Sequence, residues 1–274
     1  MENVVVSIIV PTRDSDTHLR RCLESVMRQT YPDIELIVVD NDSQDGTVEV
    51  AREYTSMVVR CGPERSAQVN EGVRKATGRW VFRVDSDFIL DPKVVAECVE
   101  CAKGGYRAVV VHNSPDVSVG LLSRVRKFET DMYKGRLEHS AARFVERDLF
   151  AEIGGYHPGL TAGEDYDFQN RILSAGVAVG FVSAEALHLG EPAGLAEALR
   201  KYYVYGADMR NFVRENPGSC RKQLDVVRPE YIANYRAFLR EPLVGMLFVG
   251  YHLLKFAAGG VGYVVGTLRG CGGG

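Results

Sequence analysis

The residues best suited to chemistry lie in three short polar segments of the first hundred residues. They are Pro-Thr-Arg-Asp at 11–14, Asp-Asn-Asp-Ser at 40–43 and Asp-Ser-Asp at 85–87. The third segment places Asp85 and Asp87 two residues apart, and carboxylate oxygens are the ligands that Mg²⁺ and Mn²⁺ prefer. A turn that leads into a helix would use the same residues, so this pair alone leaves a metal site and a structural turn both open.

Candidate groups also lie in the second of these segments and further along the chain. Asp40 and Asp42 suit hydrogen bonds to a nucleotide base or ribose, although Asp is also an ordinary turn residue. Glu164 and Asp165 open a predicted helix, where the helix dipole favours acidic side chains and where one carboxylate could instead act as a general base. His188 follows a predicted strand and could complete a metal site with a neutral imidazole, although a lone His is more often structural.

The elements that position these groups alternate along the chain. Apolar runs predict strands at 4–10, 34–39, 57–59 and 80–84, with helical spacing of apolar residues at 19–26, 48–54 and 67–76. Such alternation indicates βαβ units and a mostly parallel sheet. Because ligands bind beyond the carboxyl ends of parallel strands, the three polar segments are expected to converge at one edge. Further strands are predicted at 108–112, around 144 and at 177–182, and helices at 121–133, 165–173 and 195–213.

The last part of the chain, from 243 to 268, is almost wholly apolar and is interrupted by His252 and Lys255. It is long enough to cross a hydrocarbon core of about 30 Å as one helix. A charge at mid-bilayer costs about 3 kcal/mol, so two interfacial helices separated at Lys255 and Gly259 are an alternative. A buried helix pair within a soluble dimer is a third.

Composition narrows the class of protein. The length of 274 residues predicts one large or two small globular domains. The composition, 46% hydrophobic and 25% charged, argues against disorder. The net charge of −3 gives no basic field for nucleic acid, so no nucleic-acid partner is expected. We expect no signal peptide, and we expect the six cysteines to be reduced thiols in a cytosolic domain.

Taken together, the motifs resemble those of family 2 glycosyltransferases with the GT-A fold. The matching segments, in order, are SIIVPT at 7–12, LIVVDNDSQDGT at 36–47, GPERSAQVNEG at 62–72, ATG at 76–78, VDSD at 84–87, GGY at 154–156 and GEDYDF at 163–168. The similarity covers residues 4 to 190. It departs from the family pattern at Asn41, where many relatives have Asp, and at Gln68-Val69, where Ala-Arg is usual.

The resemblance implies an α/β fold. It would be the Rossmann-like fold of nucleotide-diphospho-sugar transferases, which has three layers and a mostly parallel central sheet. The catalytic domain would be 1–190, divided into a nucleotide-binding half at 1–100 and an acceptor half at 101–190. An amphipathic helical extension would follow at 191–240, and an apolar, membrane-associated segment at 241–274. The catalytic domain would be cytoplasmic and attached to the membrane through the C-terminus.

It also implies a role for each candidate residue. Asp165 would be the catalytic base, with Glu164 beside it. The nucleotide sugar would contact Pro11, Thr12, Arg13, Asp40, Asp42, Arg65, Asn70, Asp85 and Ser86. A divalent metal, Mn²⁺ or Mg²⁺, would be held by Asp85, Asp87 and His188.

The implied reaction is an inverting, single-displacement transfer of a sugar from a UDP- or GDP-sugar. The expected acceptor is lipid-linked, a polyprenyl or dolichyl phosphate or a glycan-lipid, and the expected partners are a membrane surface and a possible second copy of the chain. Two alternatives remain: a catalytically inactive membrane-binding relative, and a sugar-nucleotide pyrophosphorylase, although residues 11–14 lack the glycine-rich loop of the latter. A Rossmann oxidoreductase would need G-x-G-x-x-G in that turn, and it is missing.

Overall fold

A computed structural model describes residues 4–218, 220 and 224–271. The chain divides into two compact units. The first runs up to Asn113 and continues over Ser140–Pro158 and Phe168–Gly190, and the second comprises Ser114–His139, Gly159–Asp167 and the chain from Glu191 onward.

One sheet of eight strands occurs in the described residues, in the order β3-β2-β1-β4-β7-β6-β8-β5. Its strands are β1 Val6–Thr12, β2 Ile34–Asp40, β3 Val58–Arg60, β4 Trp80–Arg83, β5 Phe88–Leu90, β6 Ala108–Pro115, β7 Phe144–Glu146 and β8 Val179–His188. The first four strands pair in parallel, whereas β7 runs antiparallel to β4 and to β6, and β5 runs antiparallel to β8. The sheet is therefore mixed, with the predicted parallel arrangement in its first half.

The helices are α1 Asp16–Met27, α2 Thr47–Arg52, α3 Arg65–Lys75, α4 Val94–Lys103, α5 Leu121–Asp131, α6 Arg147–Glu152, α7 Glu164–Ser174, α8 Leu195–Glu215, α9 Pro229–Ala233, α10 Tyr235–Arg240 and α11 Pro242–Cys271. In the first unit, they cover both faces of the sheet. Ile8 of β1 packs in one core cluster with Leu19 of α1, while its neighbour Ile9 packs in the other cluster with Val69 of α3. Burial on both faces explains why β1 and β2 are continuous apolar runs.

In the second unit, α8 and α11 lie side by side with very close backbones. A Cβ atom added at Gly262 would lie 2.0 Å from the carbonyl oxygen of Tyr203, and one added at Gly266 would lie 2.4 Å from that of Ala207. Because the contacts advance along both helices in the same direction, the two helices are parallel. Small residues permit this approach.

We predict that Gly262→Ala lowers the free energy of unfolding by about 1–3 kcal/mol, the usual cost of overpacking. Gly260→Ala is the matched control in the same helix, because a Cβ there meets nothing within 4 Å. Alanine has the higher helix propensity, so the control should be neutral or more stable by up to about 1 kcal/mol. Denaturant unfolding of both variants measures the difference, and equal stabilities would contradict the close α8–α11 contact.

Candidate active site

Asp85 lies two residues after the end of β4 and is held by two arginines. Its Oδ1 lies 3.1 Å from Nε of Arg83, and its Oδ2 lies 2.7 Å from Nη1 of Arg143. Burial opposes ionisation of this carboxyl group, but the charges of Arg143 and Arg83 outweigh it and hold the pKa of Asp85 well below its ordinary value. Arg65, at the start of α3, acts in the same direction.

The two arginines are functional candidates that the sequence reasoning missed. The Arg83 side chain is 2% exposed and that of Arg143 is 9% exposed. Each guanidinium lies over an aromatic ring, Arg83 at 5.1 Å from the ring centre of Tyr156 and Arg143 at 4.9 Å from that of Phe88. One feature of the sequence could have identified Arg83 as a candidate: it is a cation at the end of an apolar strand, two residues before an Asp.

Asp87 lies next to His188. The antiparallel register of β5 and β8 pairs Phe88 with His188, and the backbone N–H of Leu189 donates to the carbonyl oxygen of Asp87 at 2.8 Å. This pairing places Oδ2 of Asp87 3.1 Å from Nε2 of His188. Burial opposes ionisation of Asp87, but its hydrogen bond with His188 outweighs that effect and lowers its pKa.

Gly190 keeps the space beside this pair open. A Cβ atom there would lie 2.1 Å from Oδ2 of Asp87 and 3.2 Å from Nε2 of His188. The side chains of Asp87 and His188 remain 30% and 18% exposed. The pair is therefore accessible. Among the described residues, no group of three or more His, Cys, Asp or Glu side chains is gathered as a metal site.

The segment predicted to contact the nucleoside forms a second cluster at the same sheet edge. Thr12 and Asp40 are register partners on β1 and β2, and the Thr12 hydroxyl donates to Oδ1 of Asp40 at 3.2 Å. Ser43 donates to the same carboxylate through its backbone N–H at 3.1 Å and through its hydroxyl. The buried amide of Gln68 donates to the carbonyl oxygens of Thr12 and Val39, at 2.9 and 2.6 Å, and so joins the two strand ends.

The other residues that are predicted to contact the nucleotide sugar are more dispersed. Pro11 is buried within β1, and Arg13 is exposed just beyond it. Asp42 pairs with Arg60, and Ser86 donates to Ser15 at 3.1 Å.

The side-chain amide of Asn70 is hydrogen-bonded to the backbone of the Gly-Gly-Tyr motif at 154–156. Its amide donates to the carbonyl oxygen of Tyr156 at 2.8 Å and accepts from the Tyr156 N–H at 2.9 Å. These bonds hold the Gly-Gly-Tyr turn, in which Gly155 has a φ of 66°. A contact between Asn70 and a donor stays a prediction.

Glu164 and Asp165 belong to the second unit and form the first turn of α7. Glu164 is buried and Asp165 is partly exposed. In the same first turn, Asp167 accepts a hydrogen bond from the Asn216 amide at 3.0 Å. The catalytic role of Asp165 stays a prediction.

The profile of one protein family, Glycosyl transferase family 2, matches residues 7–161. The chain belongs to this family. The match includes the Asp40 cluster, the Asp85–Asp87 turn and the Gly-Gly-Tyr turn, so the family 2 identification made from the motifs is confirmed.

Relatives of this family 2 chain carry glycosyltransferase names. It is 25% identical over 219 residues to glycosyltransferase AglE of Haloferax volcanii, covering 73% of this chain and 71% of that protein. It is 28% identical over 184 residues to a PGL/p-HBAD biosynthesis glycosyltransferase of Mycobacterium bovis, with 61% and 69% covered. A 31% identical match to glycosyltransferase GlyA of Streptococcus pneumoniae covers 42% of this chain and 16% of that protein.

Solved structures confirm the GT-A fold. The mannosyltransferase PcManGT from Pyrobaculum calidifontis, in complex with GDP-Man and Mn²⁺, is 18% identical and aligns with a TM-score of 0.69 over 96% of this chain and 88% of that one. TarS of S. aureus in complex with UDP-GlcNAc is 16% identical, with a TM-score of 0.56 over 92% and 81%. The family 2 chain is a glycosyltransferase with this fold.

We predict that Asp85→Asn lowers the free energy of unfolding at pH 7 by about 3 kcal/mol, because it removes the carboxylate that pairs with two buried guanidiniums. The native pKa of Asp85 is depressed, so its contribution is present above the ordinary Asp value of about 3.9 and is lost as the pH falls through the native pKa. The difference between wild type and variant should therefore be constant from about pH 5 to 7 and shrink below about pH 4.

Denaturant unfolding across this pH range checks the prediction, with the exposed substitution Glu49→Gln as the control. A deficit that does not shrink in acid would show that the ionised Asp85 is not what stabilises the turn.

Proposed function

We propose that this enzyme transfers a hexose from a UDP- or GDP-sugar with inversion, assisted by a divalent metal. The observation that carries the proposal is the accessible pair of Asp87 and His188 at the sheet edge that also holds the Asp40 cluster. The complexes of PcManGT with GDP-Man and Mn²⁺ and of TarS with UDP-GlcNAc support the choice of donor.

The residues of the first unit suit the two ends of such a donor. The carboxylate of Asp40, fixed by Thr12 and Ser43, would hydrogen-bond the nucleoside. Arg83, Arg143 and Arg65 surround Asp85 with more positive than negative charge, which favours an anionic diphosphate nearby. We propose that Asp85 contributes by fixing the direction of the turn that carries Asp87.

The carboxylate and imidazole groups at the sheet edge fit a hard divalent cation as its ligands. Mg²⁺ is usually bound by one or two protein ligands together with substrate phosphates and water, and Mn²⁺ accepts carboxylate and imidazole as well. Asp87 and His188 would hold the ion, and both oxygens of Asp85 are already engaged by arginines. When bound, the ion would neutralise charge on the leaving diphosphate.

A direct displacement needs one base to accept the proton of an attacking hydroxyl. We propose Asp165, at the start of α7, for this role, with Glu164 beside it. A lipid phosphate acceptor would already be ionised, so Asp165 would then matter less for the rate.

The proposed acceptor is lipid-linked, and the proposed location is a membrane surface with the first unit in the cytoplasm. One described helix, Pro242–Arg269, is long and apolar enough to cross a membrane, with a mean hydropathy of 1.4. The relative from Mycobacterium is named for PGL biosynthesis.

The alternative from another class is a catalytically inactive relative that binds the donor at a membrane. Donor turnover separates the two. We expect hydrolysis or transfer of a UDP- or GDP-sugar with Mn²⁺ by the wild-type chain, and a loss of about 100-fold or more in Asp87→Asn, since the variant loses a charged ligand. Glu49→Gln is the control. Turnover that is undetectable in the wild type would favour the inactive relative, and equal turnover in Asp87→Asn would remove that residue from the site.

For Asp165→Asn we predict a fall of about 10²–10⁴-fold in transfer to a hydroxyl acceptor, because the variant cannot accept the proton. Donor binding should be unchanged, which titration calorimetry can check, and the exposed substitution Asp208→Asn serves as control. Near-normal transfer to a hydroxyl by the variant would assign the base elsewhere.

A further inference from the structure

The helix α11 has an unusual distribution of polarity around its axis. Its exposed face is an uninterrupted apolar surface, which we name the outer stripe. The larger residues of the outer stripe are Leu243, Met246, Leu247, Leu253, Leu254, Val261, Val264 and Leu268. Together with the exposed Gly250 and Ala257, they recur at intervals of three and four residues, as one face of a helix does. A surface helix of a soluble protein normally turns its polar face outward, so this one is reversed.

The titratable residues in the middle of α11 face inward. The Lys255 ammonium bonds to the carboxylate of Glu129 on α5, and both side chains are buried. The imidazole of His252 lies against the carbonyl oxygen of Val226 at 2.6 Å. On the same inner face, Val244 and Phe248 pack against Phe128 of α5. The one lysine of this apolar segment is therefore neutralised inside the unit and leaves no charge on the outer stripe.

Helix α8 excludes a transmembrane position for α11. It runs parallel to α11 with backbone contacts from Gly206 to Gly259 and from Ala207 to Gly266. Its charged side chains are Glu197, Arg200, Lys201, Asp208, Arg210, Arg214 and Glu215. If α11 crossed the hydrocarbon with these contacts intact, α8 would carry its charges into the hydrocarbon as well, which is strongly unfavourable.

Basic and aromatic side chains are exposed on α10 and at the far end of α11. Helix α10 packs on the first half of α11, with Phe238 against Gly245. The exposed side chains of α10 are Tyr235, Arg236, Leu239 and Arg240, and Arg269 lies at the far end of α11. Arginine and tyrosine place apolar stems in the interfacial region and their polar ends among the headgroups, and arginine attracts anionic lipids.

We propose that the second unit binds the membrane as a monotopic domain, with α11 lying in the plane of one leaflet. The outer stripe enters the boundary between headgroups and acyl chains, and the arginines of α10 contact anionic headgroups. The inference rests on the membrane location proposed above and specifies its geometry.

Depth measurements along α11 test the geometry. The chain has one tryptophan, Trp80, which is buried and supplies the background signal. Three variants, Leu247→Trp, Leu254→Trp and Val261→Trp, place a fluorophore at the beginning, middle and end of the outer stripe. Each would be bound to anionic vesicles that contain lipids brominated at defined depths along the acyl chain.

An in-plane helix predicts that all three tryptophans are quenched at the same shallow depth. A deep centre with shallow ends would show that α11 spans the bilayer and would overturn the proposal. Binding without quenching by any brominated lipid would show that the outer stripe stays outside the acyl chains and would also overturn it. A dimer in solution with no vesicle binding would assign the outer stripe to a second copy of the chain and would overturn it as well.

A second experiment links binding to the stripe itself. Met246→Glu and Leu253→Glu should each weaken sedimentation with anionic vesicles by about tenfold or more, because each removes the burial of a large apolar side chain. The control Leu173→Glu alters an exposed leucine of the first unit and should bind as the wild type does. Unchanged binding of both stripe variants would contradict the proposal.

Neither measurement contains donor or acceptor. Vesicle binding without sugar transfer would therefore contradict the proposed function and leave the membrane geometry standing. Sugar transfer without vesicle binding would contradict the membrane geometry and leave the sugar-transfer reaction standing.

Discussion

The ion pairs of Asp85 with Arg83 and Arg143 are the constraint on which the site in the first unit depends. An Asp carboxylate removed from water needs compensating charge, and the two guanidiniums supply it from β4 and from the residue just before β7. The rings of Tyr156 and Phe88 fix the guanidiniums in turn. The arrangement therefore ties the end of β4 to an antiparallel neighbour and determines how the chain turns toward Asp87.

Strand pairing then decides what Asp87 meets. The short β5 begins immediately after Asp87, and its antiparallel register with β8 brings His188 to the same level. Glycine at position 190 leaves the remaining side of the pair open. On the other side of β4, the parallel strands β1 and β2 end at Thr12 and Asp40, where the Gln68 amide joins their carbonyl groups. Charge compensation, register and a missing Cβ together produce an accessible polar edge.

The parallel half of the sheet could be predicted from the sequence because its strands are continuous apolar runs that end in polar segments. The later strands could not be predicted so fully. Strand β5 has three residues directly behind an Asp-Ser-Asp turn, too few for a periodic pattern, and β8 extends through His188 where the sequence predicted an end at 182. Pairing between residues that are 96 to 100 positions apart decides both, and local propensity does not contain it.

The arginine partners of Asp85 and the inner face of α11 show the same limit. Arg143 lies 58 positions from Asp85, so the sequence gives no sign of this ion pair until the strands are paired. For the C-terminal segment, hydropathy identified an apolar helix but not which side of it is covered. Lys255 is 126 positions from its partner Glu129, so its neutralisation inside the unit depends on tertiary contacts alone.

Pulsed electron paramagnetic resonance of Mn²⁺ bound with UDP or GDP tests the central claim most directly, because it detects a nitrogen ligand. We expect a coordinated-imidazole nitrogen signal from the wild-type chain, its loss in His188→Gln, and its retention in the control His157→Gln, which alters an exposed histidine. A nitrogen signal that persists in His188→Gln, or nucleotide-bound Mn²⁺ with no nitrogen signal in the wild-type chain, would contradict the assignment of Asp87 and His188 as the cation site.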